Sequence, residues 1–196
     1  MKNLLMGFTL LLLIACNDDG EKKSIHTSAV DSTKKEKAYF PVQDYIKSEI
    51  RQVDSLPVGI MKYTTSQNGA VDSGYIKQEE FHQLAQEFLS PVLERESFEK
   101  QYSENSFFDN TTQHASFLYS AIDKSLPVQR IDVLAKPEDV VYNKVRSIYM
   151  EKRFERADSS VVQKLYWKAG QNFQINTEIR TAKPEVISRQ VKVAWN

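Results

Sequence analysis

The chain has 196 residues, 41% of them hydrophobic, with 26 Lys/Arg against 26 Asp/Glu. That length suits one domain with a sizeable core and is short for two, while the even charge balance excludes the basic footprint of a generic nucleic-acid binder. A single cysteine excludes an internal disulfide framework.

Lys2 gives the start of the chain a positive charge, and Leu4 to Ala15 form an apolar run interrupted by Gly7 and Thr9. As a helix this run reaches roughly 18 Å, well short of a hydrocarbon core ~30 Å thick. Residues 1–15 therefore read as a signal peptide and not as a membrane span. The run ends in Leu13-Ile14-Ala15-Cys16, which resembles the lipobox of bacterial lipoproteins. The resemblance covers only the first sixteen residues, and it implies cleavage before Cys16, diacylation of its sulfur and acylation of the new amino group. One acyl chain holds a protein to a bilayer marginally and two or more hold it stably, so the implied partner is a membrane, reached through lipidated Cys16. Asn17 follows where an Asp would signal inner-membrane retention in Gram-negative lipoproteins, so the resemblance implies the outer membrane. Asp18-Asp19 resembles a short acidic signal for export to the cell surface, and the periplasmic face and the cell surface both stay open.

Residues 16–38 are nearly free of apolar side chains and rich in Lys, Asp, Glu, Ser and Thr. Such a segment buries too little surface to offset the entropy of ordering and reads as a disordered tether. Its typical reach is about 25 Å, and fully extended it spans roughly 75 Å. His26 within it reads as a solvated side chain.

The ordered domain is expected over residues 39–196. Pro41 suits a first helical turn, and Val42, Tyr45, Ile46, Ile50 and Val53 recur at helical spacing, with Glu49 interrupting the stripe and Ser55-Leu56-Pro57 ending it. Val58–Ser66 reads as a strand, Gln67-Asn68-Gly69 as a tight turn, and a second short strand from Ala70 is compatible with the pattern. Asp72 or Ser73 is the expected cap of a helix over 75–89 whose apolar residues Ile76, Phe81, Leu84, Ala85, Phe88 and Leu89 share a side. Ser90-Pro91 ends or kinks it, and a further short acidic helix is expected within 91–102.

From Ala115 the periodicity changes to two. Strands are expected over 115–122, where a helix is the alternative, and over 128–135, ended by Lys136-Pro137-Glu138-Asp139. Residues 145–155, 161–168 and 173–180 form the clearest meander, with short connections that force antiparallel neighbours. After Lys183-Pro184-Glu185, Val191, Val193 and Trp195 supply the apolar face of a last strand. The expected fold class is α+β, with N-terminal helices packed on one face of a curved antiparallel β-sheet that ends in a C-terminal meander. Charge is uneven along it: residues 39–127 carry 7 basic against 13 acidic side chains, and 128–196 carry 13 against 8.

Chemistry is sparse. No Gly-x-Ser-x-Gly elbow, phosphate-binding glycine loop, zinc pattern or EF-hand spacing occurs, so no cofactor and no metal is expected. Glu79 and His82 lie at helical spacing and would give two metal ligands where a stable site needs three or four. His114 reads as a loop or strand-end residue. Glu94, Glu96, Glu99, Glu104 and Asp109 qualify as a glycosidase pair by residue type alone and read as a solvated face. Asn110-Thr111-Thr112 is a sequon by chance in a bacterial chain. Among the aromatics, Phe107-Phe108, Tyr142, Tyr149 and Tyr166 stand out. On an outer sheet face beside Arg153 and Lys168, Tyr149 and Tyr166 would either bind a sugar or protein by stacking and charge, or steady the sheet by cross-strand pairing. The expectation is a non-enzymatic envelope lipoprotein that binds another envelope protein or a glycan, and not nucleic acid. A carrier of a small hydrophobic ligand and a glycan-active hydrolase are the alternatives.

Overall fold

The computed structural model describes residues 39–136, 144–182 and 186–195, all within the compact unit Ala38–Asn196. Cys16 and the other features expected in 1–38, Tyr142, and the Pro137 and Pro184 turns lie outside the described residues.

The first helix, α1 (Val42–Ser55), buries Val42, Ile46 and Val53 and is stopped by Leu56 in extended backbone ahead of Pro57. The hairpin of β1 (Ile60–Thr65) and β2 (Val71–Ile76) follows. Its turn relies on Gly69 at φ +81 and on the Asn68 side chain, which accepts from Ala70 N at 3.0 Å. This hairpin corrects the expected cap at Asp72 or Ser73. Both residues pair with β1, Ile76 faces Ile60, and the helix α2 (Gln78–Ala85) starts only after that pairing is complete. It tightens into a 3₁₀ turn at Gln86–Phe88.

A second 3₁₀ turn at Pro91–Leu93 and a short helix, α3 (Arg95–Gln101), lead into β3 (Tyr102–Asp109), a strand the sequence did not announce. Six more strands succeed one another: β4 (His114–Ala121), β5 (Val128–Lys136), β6 (Lys144–Glu155), β7 (Ser159–Lys168), β8 (Asn172–Thr181) and β9 (Val186–Trp195). The sheet order is β2-β1-β9-β8-β7-β6-β5-β4-β3 with every pair antiparallel. The fold is thus α+β and mostly sheet, a seven-stranded meander with the early hairpin added alongside its last strand.

Pleat alternation sorts the strands into two faces. One row of partners reads Phe117, Val133, Ile148, Trp167, Phe173, Val193, and the next reads Tyr119, Ile131, Met150, Leu165, Ile175, Val191. All of these except Phe117 are buried. Phe88 meets Trp167 and Phe173 with ring centroids 5.1 and 5.3 Å apart, and Phe81 meets Phe173 and Trp195 at 5.8 and 5.6 Å. Near β3 and β4, Phe98 of α3 lies 4.7 Å from Tyr102 and 4.8 Å from Tyr119. Burial of each such side chain contributes about 1.5–3 kcal/mol.

Candidate functional site

The opposite pleat face has a different composition. Its middle row reads Asp132, Tyr149, Tyr166, Gln174, Lys192, Tyr63, each opposite the next across the ladder. Above it lie Lys168, Asn172, Ala194, Met61 and Tyr75, and below it Arg130, Glu151, Lys164, Asn176, Gln190 and Thr65. Over β6 to β9 this centre carries tyrosines, amides and charges, with Ala194 its one aliphatic side chain. Tyr63 and Tyr75 are 38% and 77% exposed, and Tyr149, Tyr166 and Gln174 are half-buried.

The electrostatics divide this face into neutral flanks and a basic middle. Arg130 holds Asp132 through two bonds of 2.8 and 2.7 Å, Arg153 holds Glu151 at 2.9 Å, and Arg180 lies 3.8 Å from Glu178. The Asp132 bond and charge raise the Arg130 guanidinium pKa further. Burial, then the Glu151 charge, pushes the Tyr149 phenol up, so it stays a neutral donor at physiological pH. Lys164 and Lys168 flank Tyr166 on the same strand face, and Lys192 lies one strand beyond Gln174. Among the described residues none of these three lysines has a carboxylate within ion-pair distance. Lys164 does stand opposite Glu151, but Arg153 engages that carboxylate.

The sequence expectation for Tyr149 and Tyr166 is met in position: they are direct cross-strand partners on the outward face, with Lys168 one pleat from Tyr166. Arg153 lies on the same face, turned to Glu151. Phe107 and Phe108, 54% and 45% exposed, sit on the edge strand β3 and point to opposite faces. Other candidates disperse. His82 Nε2 meets Asp54 Oδ1 of α1 at 2.7 Å, not Glu79. Glu96 and Glu99 lie on α3, and Arg95 engages Glu99 at 3.3 Å. Glu94 precedes that helix, Glu104 stands opposite Tyr119, and His114 is the first residue of β4, opposite Asp109. Asp109 is occupied in the β3–β4 turn, where bonds from the Thr112 hydroxyl and the Thr111 N–H hold its carboxyl below the usual range. Among the described residues no group of three or more His, Cys, Asp or Glu is arranged to hold a metal ion, and no helix is long and apolar enough to cross a membrane.

Two buried polar groups serve structure. Glu49 accepts from Trp167 Nε1 at 3.2 Å and Gly170 N at 2.7 Å through one oxygen, and from the Tyr45 hydroxyl at 3.1 Å through the other. It staples α1 to the β7–β8 turn, and an acidic residue inside the apolar stripe of α1 was its signal in the sequence. Lys152, on the apolar phase of β6, donates to the Glu87 carbonyl within the first 3₁₀ turn. Burial lowers its pKa against the opposing pull of the Glu87 charge. Comparison with protein-family models, curated proteins and solved structures gives no match.

Proposed function

We propose that the chain is a lipid-anchored bacterial envelope lipoprotein whose single domain, residues 39–196, is a non-enzymatic binding module. The observation that carries this reading is Leu13-Ile14-Ala15-Cys16 at the end of a short apolar run, with Cys16 the one cysteine of the chain. Cleavage before Cys16 and its acylation leave a chain of 181 residues whose first stretch, 16–38, is a hydrophilic tether, and Asn17 favours the outer membrane. In this reading the helices form a layer over the apolar face of a curved sheet, and the tyrosine- and lysine-bearing face is left for a partner. Filling of the space between α2 and the sheet by Trp167, Phe173, Phe81 and Phe88 argues against a hydrophobic-ligand carrier. Dispersal of the acidic candidates over α3, β3 and a turn argues against a glycosidase.

The test is Cys16→Ser in the native host, read by intact mass and membrane partition. The expected result is loss of the acyl mass and a shift to soluble or uncleaved protein. An unchanged mass and unchanged membrane partition would remove the anchor and the reading with it.

A further inference from the structure

We infer that the outward sheet face, centred on Tyr166, is a binding site for an acidic glycan lying across the strands. This deepens the binding-module reading and rests on it, but the two fail in different experiments.

Spacing supports an extended polymer. Tyr149, Tyr166 and Tyr63 occupy one row on β6, β7 and β1, and Tyr75 stands one pleat away on β2. Neighbouring strands lie about 4.8 Å apart, so from β6 to β2 the tyrosines cover roughly 24 Å, a run of several sugar rings. Tyrosine presents a flat apolar ring to the faces of sugars and a hydroxyl to their edges. Between the rings Asn172, Gln174 and Asn176 fill three successive outward positions of β8; the Asn172 side-chain carbonyl oxygen is buried, so this strand offers hydroxyl groups mainly amide N–H donors. Gln190 donates to the Gln174 carbonyl at 3.1 Å, which leaves the Gln174 amide hydrogens directed to a ligand.

Charge supplies the acid. The three flanking arginines are matched by carboxylates, whereas among the described residues Lys164, Lys168 and Lys192 have no carboxylate within ion-pair distance, so a positive cluster surrounds Tyr166. A carboxylate, sulfate or phosphate on every second or third sugar would meet it. A protein partner fits this centre less well, because the cores of protein interfaces are depleted of lysine and this one carries Lys164, Lys168 and Lys192 among its tyrosines.

The experiment is affinity electrophoresis of the full chain in detergent through gels containing polygalacturonate, a sulfated dextran, a phosphorylated mannan, neutral dextran or polyglutamate. The expected result is retardation by at least one acidic glycan, weakening with salt, and little by neutral dextran or polyglutamate. Tyr166→Thr, which keeps a strand-forming residue, and the triple change Lys164→Gln, Lys168→Gln, Lys192→Gln should each weaken binding by about tenfold or more. Both variants should keep the parent melting temperature. A variant that melts earlier is replaced by Tyr149→Thr or Lys192→Gln alone, with the same direction expected. Absence of retardation by all three acidic glycans overturns the inference, and so does retardation unaffected by the substitutions. Equal retardation by polyglutamate identifies an acidic protein surface as the partner and overturns it too. Cys16→Ser protein should bind as the parent does, so failure of the anchor leaves this result intact.

Discussion

Glu49 joins α1 to the β7–β8 turn, and its truncation measures how firmly helix and sheet are held. Glu49→Ala leaves the Trp167 indole N–H buried without an acceptor, which costs about 1–3 kcal/mol. Gly170 is exposed, so water can take its N–H and that loss is smaller, about 1 kcal/mol. Loss of the one Cγ methylene adds about 0.8 kcal/mol more, for a total of roughly 3–5 kcal/mol out of the 5–15 that keep a typical domain folded. Glu49→Gln separates acceptor geometry from charge. Because one oxygen takes both N–H donors, the glutamine carbonyl can replace it while the amide donates to a reoriented Tyr45 hydroxyl. The expected cost is about 1 kcal/mol, the difference between a charge-assisted and a neutral bond. Trp167 and Trp195 are the two tryptophans of the chain and both are buried, so urea unfolding followed by their fluorescence reads the values directly. An Ala variant within about 1 kcal/mol of the parent would refute the staple, and equal costs for Ala and Gln would show that charge, not acceptor placement, holds the turn.

Alkaline titration gives a second measurement: burial raises the pKa of Tyr102 and Tyr119, so their stabilising contribution is full below the unfolded tyrosine pKa near 10 and is lost as pH rises beyond it. Urea unfolding from pH 10 upwards should show stability falling by about 3 kcal/mol per pH unit from these two groups; a flat profile in Tyr102→Phe and parent alike would refute it. Lys152, with a lowered pKa, acts with the opposite sign and at lower pH: between its folded pKa and 10.5 the unfolded chain binds the extra proton, so stability rises with pH there, and Lys152→Met should remove that rise and leave the fall above it unchanged. Gly170→Ala should cost about 1 kcal/mol through its φ of +64 alone, because an added Cβ meets nothing within 4 Å. Gly74→Ala, in open space on β2 without a positive φ, should be neutral or stabilising in the same thermal melts, and equal losses at both glycines would contradict the backbone argument.

Much of the fold was legible in the sequence where one face is buried and the other wet. Strands β5 to β9 alternate cleanly because the packed aromatic row demands every second residue, and α1 shows its stripe for the same reason. The missed strand, β3, has a single fully buried residue, Tyr102, at its start. An edge strand paired on one side only exerts no pressure for alternation, and its run of Ser, Glu and Asn reads as loop. The start of α2 failed differently: Asp72 and Ser73 are good caps by type, but tertiary pairing with β1 overrides local preference. The outward face was legible in part. Tyr149 and Tyr166 declared themselves by alternation within neighbouring strands, whereas Tyr63 enters their row only through the β1–β9 pairing, which joins residues over a hundred positions apart. No local pattern encodes that contact.

The same pairing bears on how the proposed module is presented. Tyr39 and Phe40, the first described residues, are fixed on the apolar side of the sheet. The Tyr39 ring lies 5.7 Å from both Phe98 and Tyr119 and its hydroxyl donates to the Tyr102 carbonyl, while Phe40 N donates to the Tyr119 hydroxyl and its ring stacks on Phe117. Tyr166, Lys164 and Lys168 lie on the other face at the central strand β7, and Lys192 and Tyr63 lie on that face towards the β2 edge. The first described residues are thus braced by aromatic rings on the apolar face, whereas the strand ladder alone aligns the tyrosines on the other, so truncating Phe98 or Phe117 should loosen Tyr39 and Phe40 without shifting the tyrosine row.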